Sequence, residues 1–413
     1  MPDLLVVADD LTGALDTGAA FACWGLRTLV AWGADLPPSA DVWVLDTESR
    51  DLAPDEAREA IEALVRPLLS QVPRVYKKID STLRGNVGAE LAALLDMGAT
   101  PRAILAPAFP AQGRTTQGGQ QWVHGRPLAM TPFAQPGVDC SSIAALLHSQ
   151  MSLPVSCVGL DAVRLGPKAL AQLLRNAPGP LLIVDAVEDA HLATIAEAAT
   201  IAGMDRLLAG SAGLAAQLPP VWGMQTRPTP PAHVSAGPTL IVAGTRHPGL
   251  TAQLSRLQAG APVAVVGDVL RGLVAGGGTL IAQRSEEVVA ALLAGRHVVL
   301  TTAGEPLLAG ASRSVAGLLA EVAARAVRHF APAALILTGG DVAVAVCRAL
   351  AARAVAIERQ LEPGIPLGRL VGGAADGLPV VTKAGGFGDD EVLFRILQRL
   401  AEGAGELPGS EDD

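Results

Sequence analysis

Residues 4–18 read LLVVADDLTGALDTG. Five apolar residues, Leu4 to Ala8, have the length of a buried strand, and the polar turn DDLTG (9–13) opens a helix that ends near Gly25. The same unit recurs outward from there. VWVLD (42–46) leads through TESRDLAP into a helix from about 54 to 69. RVYKKI (74–79), AILAP (103–107), LLIVD (181–185) and RLLAG (206–210) are further strands. Strands separated by helical stretches of roughly 10 to 15 residues predict an α/β fold with a mostly parallel sheet covered by helices. The Gly-, Gln- and Pro-rich run 108–140 is the exception, and its QWVHGRPLAM segment reads as a small hairpin on the domain edge.

A composition shift divides the chain. Residues 218–238 carry six prolines and little periodicity, as a semi-stiff linker should. The α/β rhythm restarts at TLIVAG (239–244) and continues through APVAVVG (261–267), HVVLTT (297–302), AALILTGG (333–340), AVAIE (354–358) and PVVTK (379–383). The expected organisation is a first domain at 1–218, a linker at 219–238, a second domain at 239–403 and an acidic tail at 404–413. At 413 residues two cores are expected rather than one.

Composition narrows the partners. The chain is 50% hydrophobic and 17% charged, far from a disordered profile. Its 40 acidic against 31 basic residues give a net charge of -9, which disfavours nucleic acid and anionic membrane. No apolar run reaches the roughly 18 residues that span a bilayer. The N-terminus lacks the basic region of a signal peptide, so a cytoplasmic location is expected. Cys23, Cys140, Cys157 and Cys347 are widely spaced and read as reduced, small apolar residues. The seven histidines show no metal-ligand spacing, so no protein-held metal is expected.

In open parallel sheets ligands bind beyond the carboxyl ends of strands, and the polar clusters lie there. In the first half they are Asp9-Asp10, the run Asp46 to Arg50, and Lys77 to Asn86. Asp9 and Asp10 can accept hydrogen bonds from sugar hydroxyls, one can act as a general base, or one can cap the following helix. Arg50, Lys78 and Arg84 are natural partners of a carboxylate, or solvated loop charges. Ser81, Thr82 and Asn86 can serve a ligand or cap a helix. The second half instead places glycine-rich turns after its strands: Gly244-Thr245-Arg246-His247, Thr338-Gly339-Gly340-Asp341 and Lys383 to Asp389, with Gly385 and Gly386. Such turns let backbone N–H groups approach an anion at a helix N-terminus, and three together suggest a phosphate cradle. None is a Walker A or GxGxxG sequence. A grip for a polyhydroxylated anion beside a phosphate cradle fits phosphoryl transfer, with magnesium bridging the phosphates.

The segments ADDLTGALDTG (8–18), DTESR (46–50), KKIDSTLRGNVGAEL (77–91), APAFPAQGRTTQGG (106–119), AGSAGLAAQL (209–218), TGGDVA (338–343), EPGIPLGRLVGG (362–373) and TKAGGFGDDE (382–391) resemble, in order, those of the four-carbon acid sugar kinases. The resemblance implies an ATP-dependent kinase whose N-terminal domain binds threonate, erythronate or a 3-oxo-tetronate and whose C-terminal domain binds ATP. The 4-hydroxyl is phosphorylated in the cleft between the domains. It places Asp9, Asp10, Arg50, Lys78, Asp80, Ser81, Thr82, Arg84 and Asn86 at the sugar acid, with Asp10 or Asp80 as the base. Thr338 to Asp341 and Gly385 face the nucleotide, and a homodimer is an expectation from the family. The chain departs from the family's usual GSCS at 244–247, where it reads GTRH, and from KSGNFG at 383–388, where Ala384 and Gly386 stand. A catalytically silent sugar-acid sensor is the alternative that the GTRH loop supports. An NAD-dependent hydroxy-acid dehydrogenase would need a glycine fingerprint where ADDLTG stands.

Overall fold

Apolar runs bounded by polar turns become fully buried strands in the computed structural model. The described residues are 2–33, 40–135, 141–224, 234–245, 247–270, 278–305 and 312–402. Most of the proline-rich linker, Arg246 of the GTRH loop, Cys140 and the acidic tail lie outside them. The chain divides into two units, residues 1–228 and 229–413.

The first unit is built on eight strands: β1 (Leu4–Ala8), β2 (Thr28–Ala31), β3 (Val42–Asp46), β4 (Val75–Lys78), β5 (Ala103–Ala106), β9 (Val155–Val158), β10 (Leu181–Val184) and β11 (Leu207–Gly210). Their order is β2-β3-β1-β4-β11-β5-β10-β9, and every pairing is parallel. All-parallel strands are covered on both faces, which is why they read as continuous apolar runs rather than alternating ones. Helices α1 (Leu11–Ala22), α6 (Pro167–Asn176), α7 (Asp189–Ala202) and α8 (Ala212–Val221), with the short α5 (Leu160–Arg164), cover one face. Helices α2 (Pro54–Val65), α3 (Val87–Asp96) and α4 (Ile143–His148) cover the other, where Ile61, Val65, Leu91 and Leu147 pack on Leu5, Val7 and Leu45.

β1 is followed to one side by β2, and β4 to the other side by β5, so the chain reverses its winding between β1 and β4. That reversal opens a crevice at the carboxyl ends of these two strands. The 108–140 run forms its own three-stranded antiparallel sheet, β6 (Arg114–Gln117), β7 (Gln120–Val123) and β8 (Arg126–Pro127).

The second unit holds β12 (Thr239–Ala243), β13 (Val263–Val266), β14 (His297–Thr301), β15 (Ala334–Thr338), β16 (Ala354–Glu362), β17 (Ile365–Val371) and β18 (Pro379–Lys383). The order is β13-β14-β12-β15-β18-β17-β16. The first five are parallel, and β17 runs antiparallel to both β18 and β16. Helices α9 (Gly249–Gly260) and α13 (Val392–Glu402) share a core on one face, while α10 (Gly278–Leu293), α11 (Ser312–His329) and α12 (Gly340–Ala349) pack together. Here the winding reverses between β12 and β15.

Several boundaries differ from the sequence reading. AVAIE extends to a nine-residue strand that turns at Gly364 and returns as β17, a strand absent from the sequence reading, so EPGIPLG spans a hairpin. Residues 219–221 of the expected linker stay helical, with Pro219 and Pro220 inside the last turn of α8. Cys347 is buried, but Cys23 and Cys157 are exposed thiols outside any disulfide rather than core residues. Among the described residues no helix is long and apolar enough to cross a membrane.

Candidate active site

Three loops leave the adjacent carboxyl ends of β3, β1 and β4. Asp10 is the N-cap of α1, with Oδ1 accepting from Gly13 N at 2.8 Å, a bond typically worth about 1 kcal/mol. Asp9 does something else. Arg50 grips it through two bonds, Nε to Oδ2 at 2.9 Å and Nη2 to Oδ1 at 2.8 Å, while Arg50 Nη1 donates to Asp10 Oδ2. Of the readings open to the two acids, the helix cap is realised by Asp10, and Arg50 pairs with both. Gly85, with φ at +91°, allows this approach, because a Cβ there would stand 2.9 Å from Asp9 Oδ2.

The two acids differ in access. The Asp9 side chain is 3% exposed and that of Asp10 25%. Their ionisation diverges too. Burial works to raise the Asp9 carboxyl, but Arg50 and Lys77 outweigh it and hold it down at about 2. Burial prevails at Asp10, where Arg50 pulls against it and the Asp9 charge adds to it, so that carboxyl is raised.

Asp80 is a loop organiser. Oδ1 accepts from Thr82 N at 2.8 Å and Thr82 Oγ1 at 2.9 Å, and Oδ2 accepts from Arg84 Nε. Burial pushes Asp80 up, yet Arg50 and Arg84 leave it lowered. The loop carries Leu83 in a left-handed conformation, φ +59°, with its side chain in the core. Asn86 stands at the N-cap of α3 without capping it, since both its amide bonds go to the Ser49 and Leu52 carbonyls at 2.9 Å. It braces the Arg50 loop from behind. Ser81 presents its carbonyl to Gln121 Nε2 at 2.7 Å. Lys78 is buried and pairs with no carboxylate among the described residues, and its Nζ occupies the space that a Cβ on Gly13 would approach to 2.9 Å.

Beneath the crevice lies a network that sequence reasoning missed. Lys77 Nζ pairs with Glu90 Oε2 at 2.7 Å, both side chains being essentially unexposed. Ser49 donates to Glu90 Oε1 and meets Thr47 Oγ1 at 2.7 Å. Glu90 lies on α3, outside the polar clusters that the sequence singles out, and Lys77 turns inward from β4 to meet it. Asp16, six residues beyond Asp10 in α1, was also missed. Its carboxyl is raised by burial, with Lys78 opposing and Asp10 reinforcing.

The second unit presents glycines where the first presents charge. The turns after β12, β15 and β18 converge on Thr245. A Cβ on Gly385 would stand 2.9 Å from Thr245 Cβ, and one on Gly339 3.6 Å from it. Gly339 needs its φ of +98° to donate from N to the Lys383 carbonyl at 3.0 Å. Gly340 and Asp341 open α12, and Thr338 Oγ1 is buried with no partner among the described residues. His247 Nδ1 accepts from Gly249 N at 3.2 Å, and the far edge of the ring lies 3.2 Å from where a Cβ on Gly386 would be. The two departures from the family pattern, His247 and Gly386, are thus neighbours. Lys383 turns inward and donates to the carbonyls of Ala384, Gly385 and Phe387 at 3.0, 3.2 and 2.9 Å, and burial lowers its amine to about 8. Among the described residues no group of three or more His, Cys, Asp or Glu could hold a metal ion.

A family model described as a sugar-binding N-terminal domain matches residues 4–218, and one described as a nucleotide-binding C-terminal domain matches 240–393. The chain is 38% identical to a D-threonate kinase of Salmonella typhimurium, across 97% of this chain and 98% of that one. It is 36% identical to a D-threonate kinase of Bordetella bronchiseptica over the same shares. A D-erythronate kinase of Heliobacterium modesticaldum is 31% identical across 97% of both chains. A crystal structure from Salmonella typhimurium superposes with a TM-score of 0.81 at 22% identity, covering 97% of this chain and 99% of that one. One from Haemophilus influenzae gives 0.76 at 23%, covering 96% and 100%. At those identities the likeness is one of fold. The chain belongs to the four-carbon acid sugar kinase family, and is a phosphotransferase acting on an alcohol group. That membership sets aside the sensor and dehydrogenase alternatives.

Proposed function

We propose that the protein is an ATP-dependent kinase of D-threonate that phosphorylates its terminal 4-hydroxyl. D-Erythronate and 3-oxo-tetronates are the competing substrates. The observation that carries the reading is the crevice between β1 and β4, where an accessible acid with a raised carboxyl, Asp10, stands beside buried cations. D-Threonate leads the candidates because the relatives at 36% and 38% identity are D-threonate kinases, whereas the D-erythronate kinase stands at 31%.

In this reading the sugar acid lies in the first unit and the nucleotide in the second. Asp10 accepts the proton of the 4-hydroxyl, whose oxygen attacks the γ-phosphorus as the bond to ADP breaks. A base works best when its pKa approaches the operating pH, which favours Asp10, with its carboxyl raised, over Asp80, held down by two arginines. Asp80 and Thr82 shape the loop that receives the substrate. On the nucleotide side the fit is set by space. Gly339 and Gly385 let their turns close on Thr245 with no Cβ between, so that backbone N–H groups at the start of α12 can face a phosphate, and a Cβ at 385 would push the turn away from Thr245. Magnesium carried on the phosphates would neutralise charge developing during transfer.

The test is a coupled ADP-release assay across D- and L-threonate, D- and L-erythronate and their 3-oxo forms. Highest kcat/KM with D-threonate is expected. Turnover with none of these sugar acids would sink the reading.

A further inference from the structure

Around the first-unit crevice Arg50 and Arg84 are held by carboxylates, which leaves Lys78, whose Nζ stands at the Asp10 end, and the forked guanidinium of Arg114 as the cations open to a substrate carboxylate. Arg50 was the natural candidate, but its Nε, Nη1 and Nη2 are all engaged by Asp9 and Asp10. Arg84 is held through Nε by Asp80. Arg114, on β6, is different. Its Nε is buried with no hydrogen-bond partner, and among the described residues none accepts from its guanidinium. Its Cζ lies 6.0 Å from the centroid of the Phe133 ring. A desolvated guanidinium without an acceptor is costly, and such a group is retained where a ligand completes it.

Arg114 does not hang on a loose loop. Phe109 N donates to its carbonyl at 2.7 Å, and its own N donates to the Phe109 carbonyl at 3.1 Å. Asp185, at the end of β10, accepts from Gly118 N at 2.6 Å and Gly119 N at 3.0 Å, pinning the β6–β7 turn. Two side chains then fasten this small sheet and its following loop to the β4 loop: Gln121 Nε2 to the Ser81 carbonyl at 2.7 Å, and Gln135 Nε2 to the Leu83 carbonyl at 2.6 Å. The loop so fastened is the one that carries Asp80 and Arg84, and the charges of both are felt at Arg114. The run that reads in sequence as an edge hairpin is a clamp over the crevice.

We propose that Arg114 binds the carboxylate of the sugar acid, its guanidinium fork closing on the two oxygens. The assignment rests on the tetronate reading above. It gives the substrate a direction: the carboxylate lies under the small sheet, and the terminal hydroxyl lies toward Asp10.

The test uses the full chain, with Arg114→Gln and Arg114→Lys beside the wild type. Two readings are taken: thermal stabilisation by D-threonate without nucleotide, and steady-state kinetics with D-threonate and with threitol, its uncharged counterpart. For Arg114→Gln a rise of roughly 10- to 100-fold in KM for D-threonate is expected, with kcat at saturation within a few-fold of wild type. Threitol turnover should be unchanged, so that discrimination between acid and polyol collapses. Arg114→Lys should recover part of the loss, and it preserves the test should the glutamine variant fail to fold. An unaltered D-threonate KM in Arg114→Gln overturns the proposal, as does an equal loss with threitol, which would mark a structural role. If the wild type is neither stabilised by D-threonate nor turns it over, the functional reading falls and this assignment with it. If the wild type is stabilised and Arg114→Gln equally so, this assignment alone falls.

Discussion

The two units wind their first four strands in the same spatial order, second, third, first, fourth, yet furnish the resulting crevice in opposite ways. The first fills it with interlocked charge: Asp9, Asp10 and Arg50, then Asp80 with Arg84. The second fills it with glycine turns around Thr245, and its one buried cation, among the described residues, faces backbone carbonyls instead of a ligand. On the proposed function the contrast follows from what each would hold. A small polyhydroxy acid offers several directional groups and needs matched side chains. A polyphosphate offers dense negative charge, which backbone N–H groups and helix N-termini meet without side chains. A common topology supplies the place, and the residues after each strand supply the chemistry.

Removing the central cation breaks the charged crevice most severely. In Arg50→Met, Asp9 stays buried and loses its counterion, so a loss on the order of 3–5 kcal/mol at pH 7 is expected, with no measurable turnover. The sign with pH is fixed. In the wild type the Asp9 carboxyl sits at about 2 against an ordinary 3.8. Its contribution is fully present above the ordinary value and is lost as pH falls through the folded one. Without Arg50 the acid can shed its cost by protonating, so the deficit against wild type should narrow toward pH 4. Urea unfolding of both proteins at the two pH values measures this. A deficit that does not change with pH would disconnect Asp9 from Arg50.

Within the same crevice, the raised and lowered acids should part company. Asp10→Asn should cut kcat by roughly 10²–10⁴-fold and abolish the acid limb of the kcat–pH profile, which arises as the raised Asp10 carboxyl takes up a proton. Asp80→Asn should act mainly on KM, because it loosens the Thr82 turn. Reversed outcomes would make Asp80 the base.

Much of this was legible in sequence, and for definite reasons. Strands buried on both faces read as unbroken apolar runs, so LLVVA, VWVLD and PVVTK carry their boundaries with them. The polar residues after them are conspicuous in a chain only 17% charged. What stayed hidden depends on pairing across sequence distance. Neither the Arg50–Asp9 grip, which removes Arg50 from the list of free cations, nor the Lys77–Glu90 pair has a local signature. Arg114 lies in the Gly-, Gln- and Pro-rich run that reads as an edge hairpin and offers no cluster of charge to mark it. The antiparallel return of β17 was missed because the apolar run AVAIE ends at Glu358, four residues short of the hairpin turn, and the polar residues that follow hide the rest of β16.

The glycine-lined crevice is sharpened by a smaller change. Gly385→Ala forces a Cβ against the Thr245 side chain, so the turn must shift. A roughly tenfold rise in KM for ATP is expected, while thermal stabilisation by D-threonate alone stays at the wild-type value. A parallel loss on both substrates would show that the two crevices do not act as separate binding sites.

The mildest test titrates the cation that the second crevice keeps for itself. Three carbonyls surround Lys383 Nζ, and only the ammonium form has three N–H groups to offer them. Burial brings its pKa to about 8, from an ordinary 10.5. As pH rises from 7 to 9, one carbonyl of the 384–387 turn should lose its donor, and ATP affinity should fall a few-fold. Stability should move the other way. The unfolded chain keeps this proton up to the ordinary value and the folded chain does not, so between about 8 and 10.5 this lysine makes folding more favourable as pH rises. Weaker ATP binding alongside an undiminished contribution to stability would therefore locate the effect in the turn and not in unfolding. Lys383→Met should show the weaker binding at every pH and lose the pH dependence. Titrations of ATP against wild type and variant across this range decide it, and an affinity that is flat from pH 7 to 9 in the wild type would remove Lys383 from the control of the turn.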